Sequence, residues 1–125
     1  MVFTNYGTQA LAWQLGSNLT NNYISYFAIG SGSGTALVTN VTLANETGTR
    51  VAITGSPDFT AARIVTFVGD YAANQISGLQ LTEFGLFHSG AVLEGSTWLR
   101  ESFTAVSFDG SVELSLSAAI QLLPG

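Results

Sequence analysis

The chain has 125 residues and a formal net charge of −5, and only 9% of its residues are charged, against about 25% in an ordinary soluble domain. It has no cysteine, which excludes a disulfide framework, a thiolate metal site and a cysteine nucleophile. Three basic residues, Arg50, Arg63 and Arg100, stand against eight acids, too few to neutralise nucleic-acid phosphates or to hold an anionic membrane surface.

The length suits one domain over residues 1–125. The N-terminus lacks the basic start and apolar run of a signal peptide. No stretch approaches the roughly 18 apolar residues of a membrane-spanning helix. Hydrophobic residues make up 46% of the chain, and its aromatic and β-branched content argues against disorder. An isolated monomer usually keeps many charges of both signs on its surface. So few charges point to a surface covered by other subunits, as in obligate assemblies.

In chain order, residues 4–16 predict one short helix. Thr4 or Asn5 caps its first turn, and Gly16 ends it in the left-handed conformation. Tyr6, Ala10 and Trp13 share one face. A polar link over 18–22 follows. Residues 23–29, aromatic and β-branched, predict a buried strand. The glycine-rich 30–34 segment breaks it, and residues 42–46 predict a short helical turn. Residues 50–54 and 63–68 predict strands. In the second of these, Ile64 and Thr66 share one face and Val65 and Phe67 the other. Turn residues fill 69–75. A strand over 76–87, interrupted at Gly78, and a segment over 92–103 come next. The last strand is the clearest: Val112, Leu114, Leu116, Ala118 and Ile120 alternate with polar or small residues. Many short strands separated by glycine-rich turns predict a mainly β, antiparallel sandwich or barrel-like domain with one short N-terminal helix.

Chemistry is sparse. Gly30-x-Gly32-x-Gly34 follows a strand but precedes no helical pattern, so it lacks the context of a phosphate loop. His88 is the sole histidine, and no HExxH or GxSxG motif accompanies it. Glu83, Glu94 and Glu101 could form a glycosidase pair only at a specific separation. Glu83, set in an apolar run, reads better as a buried carboxylate that needs a partner, Arg50 or Arg100. Sequons at Asn18, Asn40 and Asn45 carry no weight without a secretory signal. Trp13 is expected in the core. Trp98 is either core or a candidate interface anchor. No catalytic residue, cofactor or metal is expected.

Thr82-Glu83-Phe84-Gly85-Leu86-Phe87 resembles the E-(F/I/V)-G-L-(F/Y) signature of a group of tailed-bacteriophage structural proteins. That group includes small virion proteins and the N-terminal domains of some tail fibres. Asn5-x-Gly7 through Leu15 resembles its N-x-G-x-x-x-L opening. Tyr26-Phe-Ala-Ile-Gly30-Ser-Gly32 resembles its hIAIGTG strand and loop. Leu43-x-x-Glu46 with Arg50, and Arg100-Glu-Ser-Phe103, resemble two further elements, and the alternating last strand resembles its ending.

The resemblance implies a virion building block without enzymatic activity. The expectation is a capsid decoration, or cement, protein on the head exterior. It would self-associate, with a trimer favoured, and bind other virion proteins such as the major capsid protein. A tail, baseplate or fibre-attachment component is the alternative. A carbohydrate-binding adhesin stacking sugars on Trp98 is a third reading.

Overall fold

The computed structural model describes residues 1–16, 23–55, 57–58 and 62–123. The elements are β1 (Val2–Phe3), α1 (Asn5–Leu15), β2 (Tyr26–Gly30), β3 (Glu46–Ala52), β4 (Ile64–Tyr71), α2 (Ala73–Ile76), β5 (Gln80–Phe87), β6 (Leu99–Ser107) and β7 (Leu114–Gln121). The polar link over 18–22 lies outside the described residues. One sheet has the order β1-β6-β5-β2-β3 and the other pairs β4 with β7. Every pairing is antiparallel. The fold is thus the mainly β, sandwich-like one the sequence predicts, and among the described residues the sheets do not close into a barrel.

Alternation builds the core between the sheets. Along β7, Leu114, Leu116, Ala118 and Ile120 turn inward while Ser115, Ser117, Ala119 and Gln121 are exposed. Opposite them, Val65, Phe67 and Tyr71 of β4 join the same core. The larger sheet contributes Phe27, Ile29, Phe84 and Leu86, each of which stabilises the fold by about 1.5–3 kcal/mol when fully buried. The Phe27 and Phe84 rings lie 5.9 Å apart. Tyr71 joins the two sheets. Its hydroxyl is shared between the carbonyls of Thr49, at 2.9 Å, and Phe27, at 3.2 Å. Burial pushes the Tyr71 phenol well above its ordinary pKa; the Glu46 charge adds to this and Arg50 opposes it.

Several sequence expectations shift. Thr4 caps α1, its Oγ1 accepting the Gly7 N–H at 3.0 Å. Gly16 ends the helix with φ −85°, not left-handed, and its N–H donates to the Ala12 carbonyl at 3.2 Å. Trp13 is only half-buried and stands outside the main core; Ala10 is the fully buried residue of that face. The strand expected over 23–29 starts at Tyr26, and the one expected over 50–54 runs over Glu46–Ala52. Residues 69–71 continue β4. A second short helix, α2, follows where turn residues alone were expected, with Gln75 Oε1 accepting the Ala72 N–H at 2.8 Å. Gly78, at φ +79°, delays β5 to Gln80. The segment expected over 92–103 becomes strand only from Leu99.

Candidate functional site

The pleat divides the Glu83-Phe84-Gly85-Leu86-Phe87 string between two faces of β5. Phe84 and Leu86 enter the main core, while Phe87 packs with Ala28 and Leu43 in a second apolar cluster. Glu83 and Gly85 share the side of Phe87. That side is covered by the long 31–45 connection between β2 and β3.

Glu83 is fully buried and holds this connection down. Its Oε2 accepts the N–H groups of Gly32 and Asn45, each at 2.8 Å. Its Oε1 accepts from the Ala44 N–H and from Arg100 Nε, also at 2.8 Å. Burial alone would raise the Glu83 pKa. The hydrogen bonds from Asn45, Arg100, Ala44 and Gly32 outweigh it and hold the carboxyl below its ordinary value. No helical turn forms over 42–46: Glu46 already begins β3, paired with Gly30 of β2, and the N–H groups of Ala44 and Asn45 are held on Glu83.

Arg100, 2% exposed, extends the clamp. Its Nη1 donates to the Thr35 carbonyl and to Asn40 Oδ1, each at 3.2 Å, and its Nη2 to the Gly34 carbonyl at 3.3 Å. Asn40 Oδ1 also accepts the Leu37 N–H at 2.8 Å. Farther along, the Val38 carbonyl accepts the Asn5 N–H at 2.7 Å and the Val41 carbonyl accepts the Thr97 N–H at 2.8 Å. One carboxylate and one guanidinium thus fix both ends and the middle of the connection.

The glycines make room for this. A Cβ on Gly30 would fall 2.5 Å from Glu83 Oε2, and one on Gly32 would meet the same oxygen. A Cβ on Gly85 would lie 2.8 Å from Thr97 Oγ1 and 2.9 Å from Leu43 Cδ2. Gly30 and Gly32 therefore make room for a carboxylate of the same chain and do not start a helix.

Of the two candidate partners, Arg100 is the one on Glu83. Arg50 pairs instead with Glu46, Nε to Oε2 at 2.8 Å and Nη2 to Oε1 at 2.9 Å. It also donates to the Ser89 carbonyl at 2.8 Å, and its guanidinium lies 3.8 Å from the Phe87 ring centroid, within cation–π range. The sequence placed Glu46 and Arg50 in one resembling element but not as a pair, although residues four apart on a strand share a face. Nothing in the sequence ties Thr35 or Asn40, the latter named only as a sequon, to Arg100, because both join it across long separations.

The remaining candidates do not converge with Glu83. Glu94 is exposed, and Glu101 pairs with the N-terminal ammonium of Met1. His88 is half-buried, with Nδ1 lacking a hydrogen-bond partner. Trp98 is 4% exposed, so in this chain it is a core residue and offers no surface for sugar stacking or for anchoring a partner. Its ring lies edge-on to Phe3 at 6.4 Å and Tyr6 at 6.2 Å, beneath the β1–α1 corner. Among the described residues, no three of His, Asp and Glu gather as a metal-binding group, and no helix is long and apolar enough to cross a membrane.

Among exposed Ser, Thr and Asn, the clamped connection presents three large apolar side chains. Leu37, Val38 and Val41 are 55%, 52% and 60% exposed within a connection that contains no charged residue. Comparison with known proteins finds no matching family model, no matching curated protein and no matching solved structure.

Proposed function

We propose that the chain is a structural protein of a tailed-bacteriophage virion, a capsid decoration protein that self-associates and binds the outer shell of the head. The clamped 31–45 connection carries this reading. An exposed apolar cluster on a soluble chain marks an interaction surface. A flexible loop would lose much conformational entropy on docking. Here the Glu83–Arg100 pair has already ordered it, so more of the burial energy remains for binding. Burying the exposed halves of Leu37, Val38 and Val41 contributes about 3 kcal/mol per subunit. Repeated over many subunits, such contacts stabilise a shell by binding only its assembled state.

The resemblance of the Glu83–Phe87 string, the 26–32 strand and loop, and the Arg100–Phe103 element to phage virion proteins supports the same reading. The buried ion pair then acts as a positioning device rather than a reactive centre, the role such pairs serve best.

Emptied phage heads lacking the protein provide the test. The wild-type chain is expected to co-sediment with them, and Val38→Asp/Val41→Asp, folded by its melting curve, is expected to remain in the supernatant. Equal binding by both proteins, or none by the wild type, overturns the head-binding reading. Immunogold labelling confined to the tail would favour a tail or fibre-attachment component.

A further inference from the structure

The side of the sandwich carrying β6 and β7 is unsealed. β7 pairs with β4 along one edge through eight consecutive residues, without a bulge. Among the described residues, its other edge has no strand partner. Natural sheets blunt such edges with charges, proline, bulges or a covering segment. Leu114–Gln121 has no charged residue and no proline. The adjoining core is also incompletely covered. Leu114, Leu116 and Ile120 point inward yet are only partly buried, as is Phe103 of β6, and Val106 is 45% exposed. β1 covers β6 only at Leu99 and Arg100.

We infer that the β7 edge pairs with the β7 edge of a second copy, antiparallel about a two-fold axis through Ala118. The order of residues favours this occupant. About Ala118 the strand is close to a hydropathic palindrome. Leu116 would face Ile120 and Leu114 would face Leu122 on the inner side; Ser117 would face Ala119 and Ser115 would face Gln121 on the outer side. The nearest acid, Glu113, would face Leu123, so no like charges meet. A two-fold contact uses one surface twice and needs no second patch. The two-stranded sheet, marginal by itself, becomes four-stranded. The inference deepens the self-association proposed above and is independent of where in the virion the protein sits. It predicts a dimer as the smallest assembly, in place of the trimer the phage resemblance suggests.

Two double variants on the exposed outer row test the edge and its register. Ser117→Glu/Ala119→Glu sets acid against acid in both cross-copy pairs. Ser117→Glu/Ala119→Lys sets acid against base in both. By analytical ultracentrifugation the wild type is expected to be dimeric. The Glu/Glu variant should dissociate at least about tenfold more readily, and the Glu/Lys variant should stay within about threefold of wild type. Melting curves check that both variants fold. A dimeric Glu/Glu variant, a dissociated Glu/Lys variant, a trimeric wild type or a monomeric wild type each overturns the inference. Only the last of these counts against self-association itself. Head binding is read separately by co-sedimentation, so failure there does not bear on the edge.

Discussion

Replacing Glu83 by alanine removes the acceptor for four donors at once: the N–H groups of Gly32, Ala44 and Asn45, and Arg100 Nε. Arg100 would be left 2% exposed with its charge unpaired. Breaking one side of a buried ion pair costs about 3–5 kcal/mol, most of it for the stranded charge. Each deserted buried N–H adds to this unless the connection detaches and lets water in. Detachment limits the loss, so about 3–5 kcal/mol is the expected total. Against a typical domain stability of about 5–15 kcal/mol this is about a fifth or more. At about 4 °C per kcal/mol for a domain of this size, the melting temperature should fall by about 12–20 °C. Differential scanning calorimetry of Glu83→Ala beside Glu94→Ala and Asp109→Ala measures it. The two control acids are exposed and should barely move the transition. A Glu83→Ala shift no larger than theirs would refute the clamp. Glu83→Leu/Arg100→Met should be more stable than either single change, because the double variant strands no charge.

Acid should loosen the clamp. The folded-state pKa of Glu83 lies below its ordinary value of 4.5, so its stabilisation is complete above that value and fades as pH falls through the lower folded one. Denaturant midpoints should decline with acid more steeply for the wild type than for Glu83→Gln; parallel declines would deny the linkage. Gly85→Ala should cost about 1–3 kcal/mol by overpacking against Thr97, Leu43 and the Leu99 carbonyl, read from urea unfolding, and an unchanged midpoint would mean the connection sits more loosely. Tyr71→Phe should cost about 1–2 kcal/mol by leaving the Thr49 and Phe27 carbonyls short of a donor, with no loss if water replaces the hydroxyl.

Legibility in the sequence follows how local each cause is. β7 is readable because one row of a period-two pattern turns inward and the other is exposed, a property of the strand alone, although Val112, expected in the inner row, precedes the strand and is 53% exposed. That Glu83 needs a basic partner is equally readable, since burying a carboxylate without one is costly. Which arginine serves is a matter of register. β5 and β6 pair Glu83 with Ser102 and Gly85 with Arg100, placing Arg100 on the diagonal from Glu83, within reach of a long side chain. Nothing local reports that offset. Residues 42–46 read as a helical turn because the pairing that draws Glu46 into β3, with Gly30 of β2, is not local. The two tryptophans are sorted for a similar reason. The apolar face of α1 shows that the helix docks, but docking through Thr4, Gly7 and Ala10 leaves Trp13 half-buried and seals Trp98 under Phe3 and Tyr6.

A cryo-EM map of the intact particle tests the central claim most directly. The account predicts density of this two-sheet fold on the outside of the head, with the clamped 31–45 connection and its Leu37, Val38 and Val41 turned against the shell. Density of the same fold at the tail, or on the head with that connection facing solvent, would contradict it.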